Sequence, residues 1–322
     1  MIGLVCPDCR TALGDSDACP GCGRALPRLR GIVDLRTHED GYLSDIDDLK
    51  LAEALDAEFD RLDFLGLLDR YFEHAAIPLR RRPGQVAHIL GGEGRATAWL
   101  AILPDSGPIL DLGCGSGSFL KAVGRDREVV GCDTALRWLL QARKRLDEAG
   151  LADRVLVRAS AERLPWPDST FSAVVAGDVI EHVADQGAAI DEAFRVLKPG
   201  GMLAMASPNR FSLGLEPHVG LWGVGFLPTR WMSLYVRLRG RGDFRAIHTS
   251  GLNEWRRRLE RSEFGGGEVL APKILKDDLA LMSPIKHGLV GAYNCLVSTR
   301  WGQGVALRVG PLFHVVCRKP ET

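Results

Sequence analysis

The sequence predicts a doubly wound, mostly parallel α/β sheet with a small cysteine-rich module in front of it. Three observations carry that expectation: short apolar runs alternating with helix-period segments from residue 107 onward, a glycine-rich turn directly after the first run, and two Cys-x-x-Cys pairs within the first 22 residues. A chain of 322 residues buries roughly three-quarters of its unfolded surface, so a substantial core is available. At 46% hydrophobic and 25% charged residues the composition excludes collagen-like, coiled-coil and wholly disordered classes. Lysine plus arginine number 41, as do aspartate plus glutamate, so no global cationic field steers the chain to nucleic acid or anionic lipid. Met1 to Val5 run into Cys6 without a basic or long apolar leader, and no uncharged apolar run reaches the length of a bilayer span, so a cytoplasmic protein is expected.

The first element is the cysteine module, residues 1–36. Cys6-x-x-Cys9 and Cys19-x-x-Cys22 are two knuckles trailed by turn-forming residues, able to bring four thiolates around one zinc ion at about 2.3 Å. Gly21 and Gly23 permit the tight turns. So small a segment has almost no core, and metal ligation would supply its folding free energy. Four cysteine ligands leave no open coordination position, so the expected zinc is structural. Only nine residues separate the pairs, fewer than the roughly 15 to 20 of the usual ribbon, and a redox or disulfide arrangement is the competing reading.

Residues 37–104 read as a helical linker or cap. Leu51, Leu55, Phe59, Leu62 and Leu65 recur at helical spacing, Arg80-Arg81-Arg82-Pro83-Gly84 marks a boundary, and a further helical stretch runs to about Leu103. From residue 105 to 322 the strand–helix alternation begins. Strands are predicted at residues 108–112, 128–132, 155–158, 173–176 and 202–206, with helices at 134–149 and 185–197. Lys198-Pro199-Gly200-Gly201 stops the second helix and feeds the fifth strand.

The most specific signal is Ile109-Leu110-Asp111-Leu112-Gly113-Cys114-Gly115-Ser116-Gly117-Ser118, a strand ending in a glycine-rich turn that opens a helix. Gly113, Gly115 and Gly117 let a ligand approach the backbone at the carboxyl end of the strand. Asp133, twenty residues beyond Gly113, ends the second strand, where a carboxylate can accept both hydroxyls of a ribose. A dinucleotide fingerprint would place glycine at position 118, where this chain has Ser118. The ligand is therefore a nucleoside, and the third glycine arrives one residue early for a dinucleotide.

That D-x-G-x-G-x-G pattern resembles motif I of the class I S-adenosylmethionine-dependent methyltransferases. Asp168-Ser169-Thr170-Phe171, Gly177-Asp178-Val179-Ile180-Glu181-His182-Val183 and Arg195-Val196-Leu197-Lys198-Pro199-Gly200-Gly201 are similar to the successive landmarks of the type 11, ubiquinone/menaquinone-methyltransferase-like branch, over about residues 107–207. The resemblance implies a seven-stranded Rossmann-like sheet and S-adenosyl-L-methionine as cofactor. It assigns Asp111, Gly113, Gly115 and Gly117 to the methionine end, with Cys114 between them, whose thiol is read with that of Cys132 as inert packing. Asp133 goes to the ribose, Ala161 and Glu162 to the adenine border, and Asp178 to the methionine ammonium or the acceptor. The chain departs from its relatives at Ser160 and Ser172, where acids are common; a neutral acceptor holds an exocyclic amine more weakly than a charged one.

The expected reaction is in-line attack on a sulfonium methyl by an oxygen or carbon of a small or lipid-like acceptor. His182 and Asp178 are the catalytic candidates, His182 as a general base in competition with His218 and His248. Two insertions, residues 208–250 and 274–311, are aromatic or apolar; the first reads as a substrate lid and the second as a possible interfacial helix, so peripheral membrane contact is compatible with the sequence. The competing classes are an rRNA or tRNA base methyltransferase with a zinc-binding module, and a non-catalytic methyltransferase-fold subunit. Arg80 to Arg82 and Arg256 to Arg258 would touch phosphates in the first case, but the balanced charge does not favour nucleic acid.

Overall fold

The computed structural model describes residues 2–38, 44–275 and 284–321, the side chains of 284–286 excepted. The amino-terminal module is a chain of short antiparallel pieces. Strand β1 (Leu4–Val5) pairs with β2 (Ala12–Leu13), and β3 (Arg28–Leu29) pairs with β4 (Ile32–Asp34). Arg30 and Gly31 both have positive φ, the geometry of a two-residue hairpin turn whose twist matches its strands.

Helices α1 (Asp45–Glu58) and α2 (Phe64–His74) follow, capped by Ser44 and Asp63, whose side chains accept from Asp47 N and Gly66 N. Ala52, Leu55, Phe59, Leu67, Leu68 and Phe72 are buried, whereas Leu65, expected on the apolar stripe, faces solvent. The arginine-proline break opens helix α3 (Arg82–Leu90) with Pro83 in its first turn, where the missing N–H costs nothing, and α4 (Gly92–Leu100) continues it.

The sheet is built from β5 (Ile109–Leu112), β6 (Val129–Asp133), β7 (Leu156–Arg158), β8 (Phe171–Gly177) and β9 (Leu197–Pro208). A small hairpin, β10 (Leu215–Glu216) with β11 (Leu221–Trp222), precedes the last two sheet strands, β12 (Glu268–Leu270) and β13 (Leu312–Arg318). Among the described residues the strand order is β12-β13-β9-β8-β5-β6-β7-β4-β3, nine strands where seven were expected. β13 is antiparallel to both its neighbours, and the five strands from β9 to β7 are parallel.

The two additional strands come from the cysteine module: β4 pairs in parallel with β7 and covers its unpaired edge. Arg158 on β7, 1% exposed, ties this junction together. Its guanidinium donates to Asp34 (2.8 Å), Asp45 (3.0 Å) and Asp48 (2.6 Å).

Helices α5 (Ser118–Val123), α6 (Leu136–Glu148) and α7 (Gln186–Val196) cross between the strands. One face of the sheet packs against α6 and the amino-terminal helices through Leu55, Trp99, Leu120, Leu139 and Leu140; the other packs through Trp166, Ile190, Ala193 and Trp255. The 208–250 insertion holds α8 (Thr229–Leu238) and a small core of its own around Val224, Met232 and Val236. Helix α9 (Leu252–Arg261) precedes β12, and α10 (Pro284–Leu296) and α11 (Arg300–Val309) lie between β12 and β13. Part of the expected second insertion, residues 276–283, lies outside the described residues. Among the described residues no helix is long and apolar enough to cross a membrane.

Candidate functional site

In an open parallel sheet the ligand crevice lies beyond the carboxyl ends of the strands, and the predicted residues gather there. The turn after β5 is pinned to the end of β6: Gly113 N and Cys114 N both donate to Cys132 O, at 2.8 and 2.9 Å. Asp133 then accepts from Gly115 N at 3.0 Å through Oδ2 and from Ala135 N at 2.8 Å through Oδ1. These two bonds orient the carboxylate toward the turn.

The three glycines have different reasons to be glycine. All have positive φ (+71°, +48° and +77°). A Cβ on Gly113 would lie 2.2 Å from Val179, which internal packing forbids, and one on Gly117 would crowd Ala142 at 3.1 Å; a Cβ on Gly115 would meet nothing within 4 Å. Gly115 is the position where the backbone faces open space.

Beneath the turn, Asp111 is 5% exposed and its Oδ2 has no hydrogen-bond partner. Burial, with Asp133 nearby, pushes its carboxyl up to about 8. Cys114 and Cys132 are buried thiols raised by the same desolvation, which keeps them neutral and unreactive.

At the end of β7, Ala161 is buried and Glu162 half-buried. Ser160 is buried too, but its Oγ accepts from Thr37 N and His38 N, both at 3.3 Å, and not from open space. The residue that replaces the usual acid is thus a bracket for the segment following β4. The first cysteine knuckle docks beside it: Arg163 donates to Pro7 O and Asp8 O, Arg10 to Leu164 O, and Val5 N to Pro165 O.

At the end of β8, Asp178 is exposed and holds φ +56°, a left-handed conformation that a non-glycine residue adopts at a cost. The following 3₁₀ turn, Ile180–His182, carries Glu181 and His182. Glu181 is 1% exposed; burial, then Asp178 and Glu216, raise its carboxyl to about 8. Burial, then His218 and His248, lower His182 to about 4, so its imidazole is neutral at physiological pH and weaker as a base than a general base poised near 7. His218, on the turn between β10 and β11, comes within 4.9 Å of the His182 ring centroid. His248 meets this turn through its backbone: its N–H donates to Glu181 O, and its carbonyl accepts from Gln186 Nε2.

The sequence reading missed His314 and Trp99. Their rings stack at 4.2 Å, and His314 on β13 lies in register with Ala206 of β9, which in turn pairs with Gly177 of β8. Burial lowers His314 to about 4 despite Asp178 nearby. Nothing local in the sequence marks this pair, because it exists only once the antiparallel last strand is threaded between its neighbours.

The four amino-terminal cysteines converge: Cys6 and Cys22 Sγ lie 3.6 Å apart, Cys9 and Cys19 Sγ 3.5 Å, and all four within 4.8 Å of one another. A tetrahedral zinc with arms of about 2.3 Å has sulfur–sulfur edges of about 3.8 Å, so the set fits such an ion.

The strand order, with its single antiparallel insertion next to the sheet edge, and the glycine turn beside an acidic strand end define the class I S-adenosylmethionine-dependent methyltransferase fold. Residues 110–205 match the family model described as a methyltransferase domain, and this part of the chain is one. The ubiquinone/menaquinone biosynthesis C-methyltransferase UbiE of Pasteurella multocida is 39% identical over 129 residues, 35% of this chain and 48% of that protein. The 27-O-demethylrifamycin SV methyltransferase of Amycolatopsis mediterranei is 37% identical over 100 residues, 30% of this chain and 37% of that protein. The match therefore spans half or less of these relatives. Among solved structures, a Haemonchus contortus phosphoethanolamine N-methyltransferase 2 in complex with S-adenosyl-L-methionine is 18% identical, with a TM-score of 0.46 over 71% of this chain and 52% of that one.

Proposed function

We propose that the chain transfers a methyl group from S-adenosyl-L-methionine to an oxygen or carbon of a small or lipid-like acceptor. The observation that carries the reading is the pinned Asp133 carboxylate beside Gly115, the one glycine of the turn whose missing side chain leaves open space. In this reading Asp133 takes the ribose hydroxyls, and Asp111 with the backbone of Gly113, Cys114, Gly115 and Gly117 surrounds the methionine end. The unpartnered Asp111 oxygen supports it, since a buried polar atom without a partner is expensive unless a ligand satisfies it. Ala161 and Glu162 border the adenine, and Asp178 and His182 border the acceptor. The Cys6, Cys9, Cys19 and Cys22 set holds a structural zinc ion.

When bound, the cofactor supplies an electrophilic methyl on a sulfonium. The chain's task is then orientation and exclusion of water, which lowers the barrier by several kcal/mol without a covalent intermediate. The 208–250 insertion, which brings His218 to the turn after β8, is the segment placed to cover the acceptor. Its exposed Trp222, Phe226, Trp231 and Leu238 support an apolar or lipid-like partner.

The test is incubation of the protein with methyl-labelled cofactor and a fractionated cell extract. Label entering the lipid or small-molecule pool is the expected result. Label confined to RNA overturns the acceptor class, and no label with no binding of S-adenosylhomocysteine overturns the enzyme.

A further inference from the structure

The geometry points to a second metal centre, separate from the four cysteines, in which Glu181, His182 and His218 bind one divalent transition-metal ion at the acceptor end of the crevice. Each residue offers one ligand atom, and these atoms lie within 4.8 Å of one another. Two imidazoles and one carboxylate form a facial set that leaves coordination positions open for water or substrate.

Three further observations point the same way. Glu181 is 1% exposed and its Oε2 has no hydrogen-bond partner, an unusual state for a buried carboxyl with nothing to bind. Its Oε1 lies 3.9 Å from His218 Nε2, too long for a hydrogen bond but within the spacing of two ligands on one ion. His218 Nδ1, meanwhile, is 2.6 Å from Glu216 Oε1, and the other Glu216 oxygen accepts from Val219 N at 2.9 Å. With Nδ1–H donated to Glu216, the Nε2 lone pair points to Glu181. This carboxylate–histidine pairing fixes the tautomer and orientation that metal-binding imidazoles use. Among the described residues no lysine or arginine forms an ion pair with Glu181; His218 is its ion-pair neighbour.

The role of the ion rests on the methyltransferase reading above. A bound divalent ion lowers the pKa of a hydroxyl it holds, as zinc lowers that of water to about 7. The acceptor would then be a hydroxylated molecule. Its O–H bond breaks with the proton passing to solvent water, the oxygen pair forms the new O–CH₃ bond, and the S–CH₃ bond breaks with its electron pair returning to sulfur as S-adenosylhomocysteine. His182 thus serves as a ligand, a task that suits a neutral imidazole better than proton abstraction.

The experiment is titration of the metal-stripped full-length protein with cobalt(II), followed by absorption, with S-adenosylhomocysteine binding measured calorimetrically on the same samples. Two equivalents are expected, one with thiolate-to-cobalt charge transfer and one without it. Glu181→Gln, nearly isosteric, and His218→Ala should each weaken the second equivalent at least tenfold while leaving the thiolate band and S-adenosylhomocysteine binding intact. A single equivalent with all cobalt on thiolates, or variants that titrate like the wild type, overturns the proposal. A second equivalent retained in a protein that does not bind S-adenosylhomocysteine sustains the metal site and overturns the methyltransferase reading instead.

Discussion

The two halves of the carboxyl edge are held in opposite ways. On the β5–β6–β7 side almost every polar group is fixed by the backbone or by a buried ion pair: Asp133 by Gly115 N and Ala135 N, Ser160 by Thr37 N and His38 N, Arg158 by three aspartates. On the β8–β9–β13 side the groups are strained, displaced from their ordinary pKa or lacking a partner: Asp178 at positive φ, Glu181 with an unpartnered oxygen, and His182 and His314 held neutral. Apart from the unpartnered Asp111 oxygen, the first half is held by its own bonds, whereas the second leaves more of its groups strained or unpartnered. Such incompletely satisfied regions are where binding energy and function concentrate.

The sharpest way to break this comparison is to damage the first half. Arg158→Ala removes the guanidinium shared by Asp34, Asp45 and Asp48, leaving buried Asp48 with Arg137 and Leu136 N alone, and should cost about 3 kcal/mol in denaturant unfolding. His218→Ala, on the second side, should shift the same curve by less than about 1 kcal/mol. Equal losses would erase the distinction. Next in size, Asp133→Ala should weaken S-adenosylhomocysteine binding by about 1 to 3 kcal/mol in calorimetry, the cost of unpaired ribose hydroxyls; unchanged affinity would remove Asp133 from the cofactor site.

A pH series tests Asp111, whose buried Oδ2 has no hydrogen-bond partner. In the folded chain its carboxyl keeps its proton up to about 8, while in the unfolded chain it ionises near 3.8. The folded state therefore holds more protons between those values, and stability falls as pH rises through that window. Asp111→Asn removes this dependence, so its melting temperature should gain on the wild type from pH 4 to pH 8; a constant difference would mean that the Asp111 carboxyl is already satisfied. The smallest effect belongs to Asp178. Asp178→Ala should cost about 1 kcal/mol for a left-handed residue, and Asp178→Gly should leave stability within about 0.5 kcal/mol, because relief of strain offsets glycine's extra unfolded-state entropy.

The same division explains what the sequence disclosed. The strands from β5 to β9, the glycine turn and Asp133 were legible because they are encoded by local periodicity and by fixed spacing within one crossover unit. The residues 28–34 were assigned to a separate module and not to the sheet, since pairing across more than a hundred residues leaves no local mark. Likewise, Ser160 could be seen as a departure from the family pattern, but the reason, two backbone N–H groups from residues 37 and 38, lies in another part of the chain. His218 was one of three histidines that no spacing could rank. Only the hairpin that folds it back to Glu181 separates it from His248, which meets the same turn through its backbone atoms.

The parallel pairing of Val33 with Val157 also has a consequence for how the molecule is made. At ribosomal speeds of roughly 5 to 20 residues per second, the β3–β4 hairpin emerges several seconds before its docking edge exists. During that interval its backbone donors and acceptors are open to any passing extended chain. If the four cysteines hold the proposed zinc ion, the clamped knuckle beside it would give the nascent segment a shape to keep while it waits.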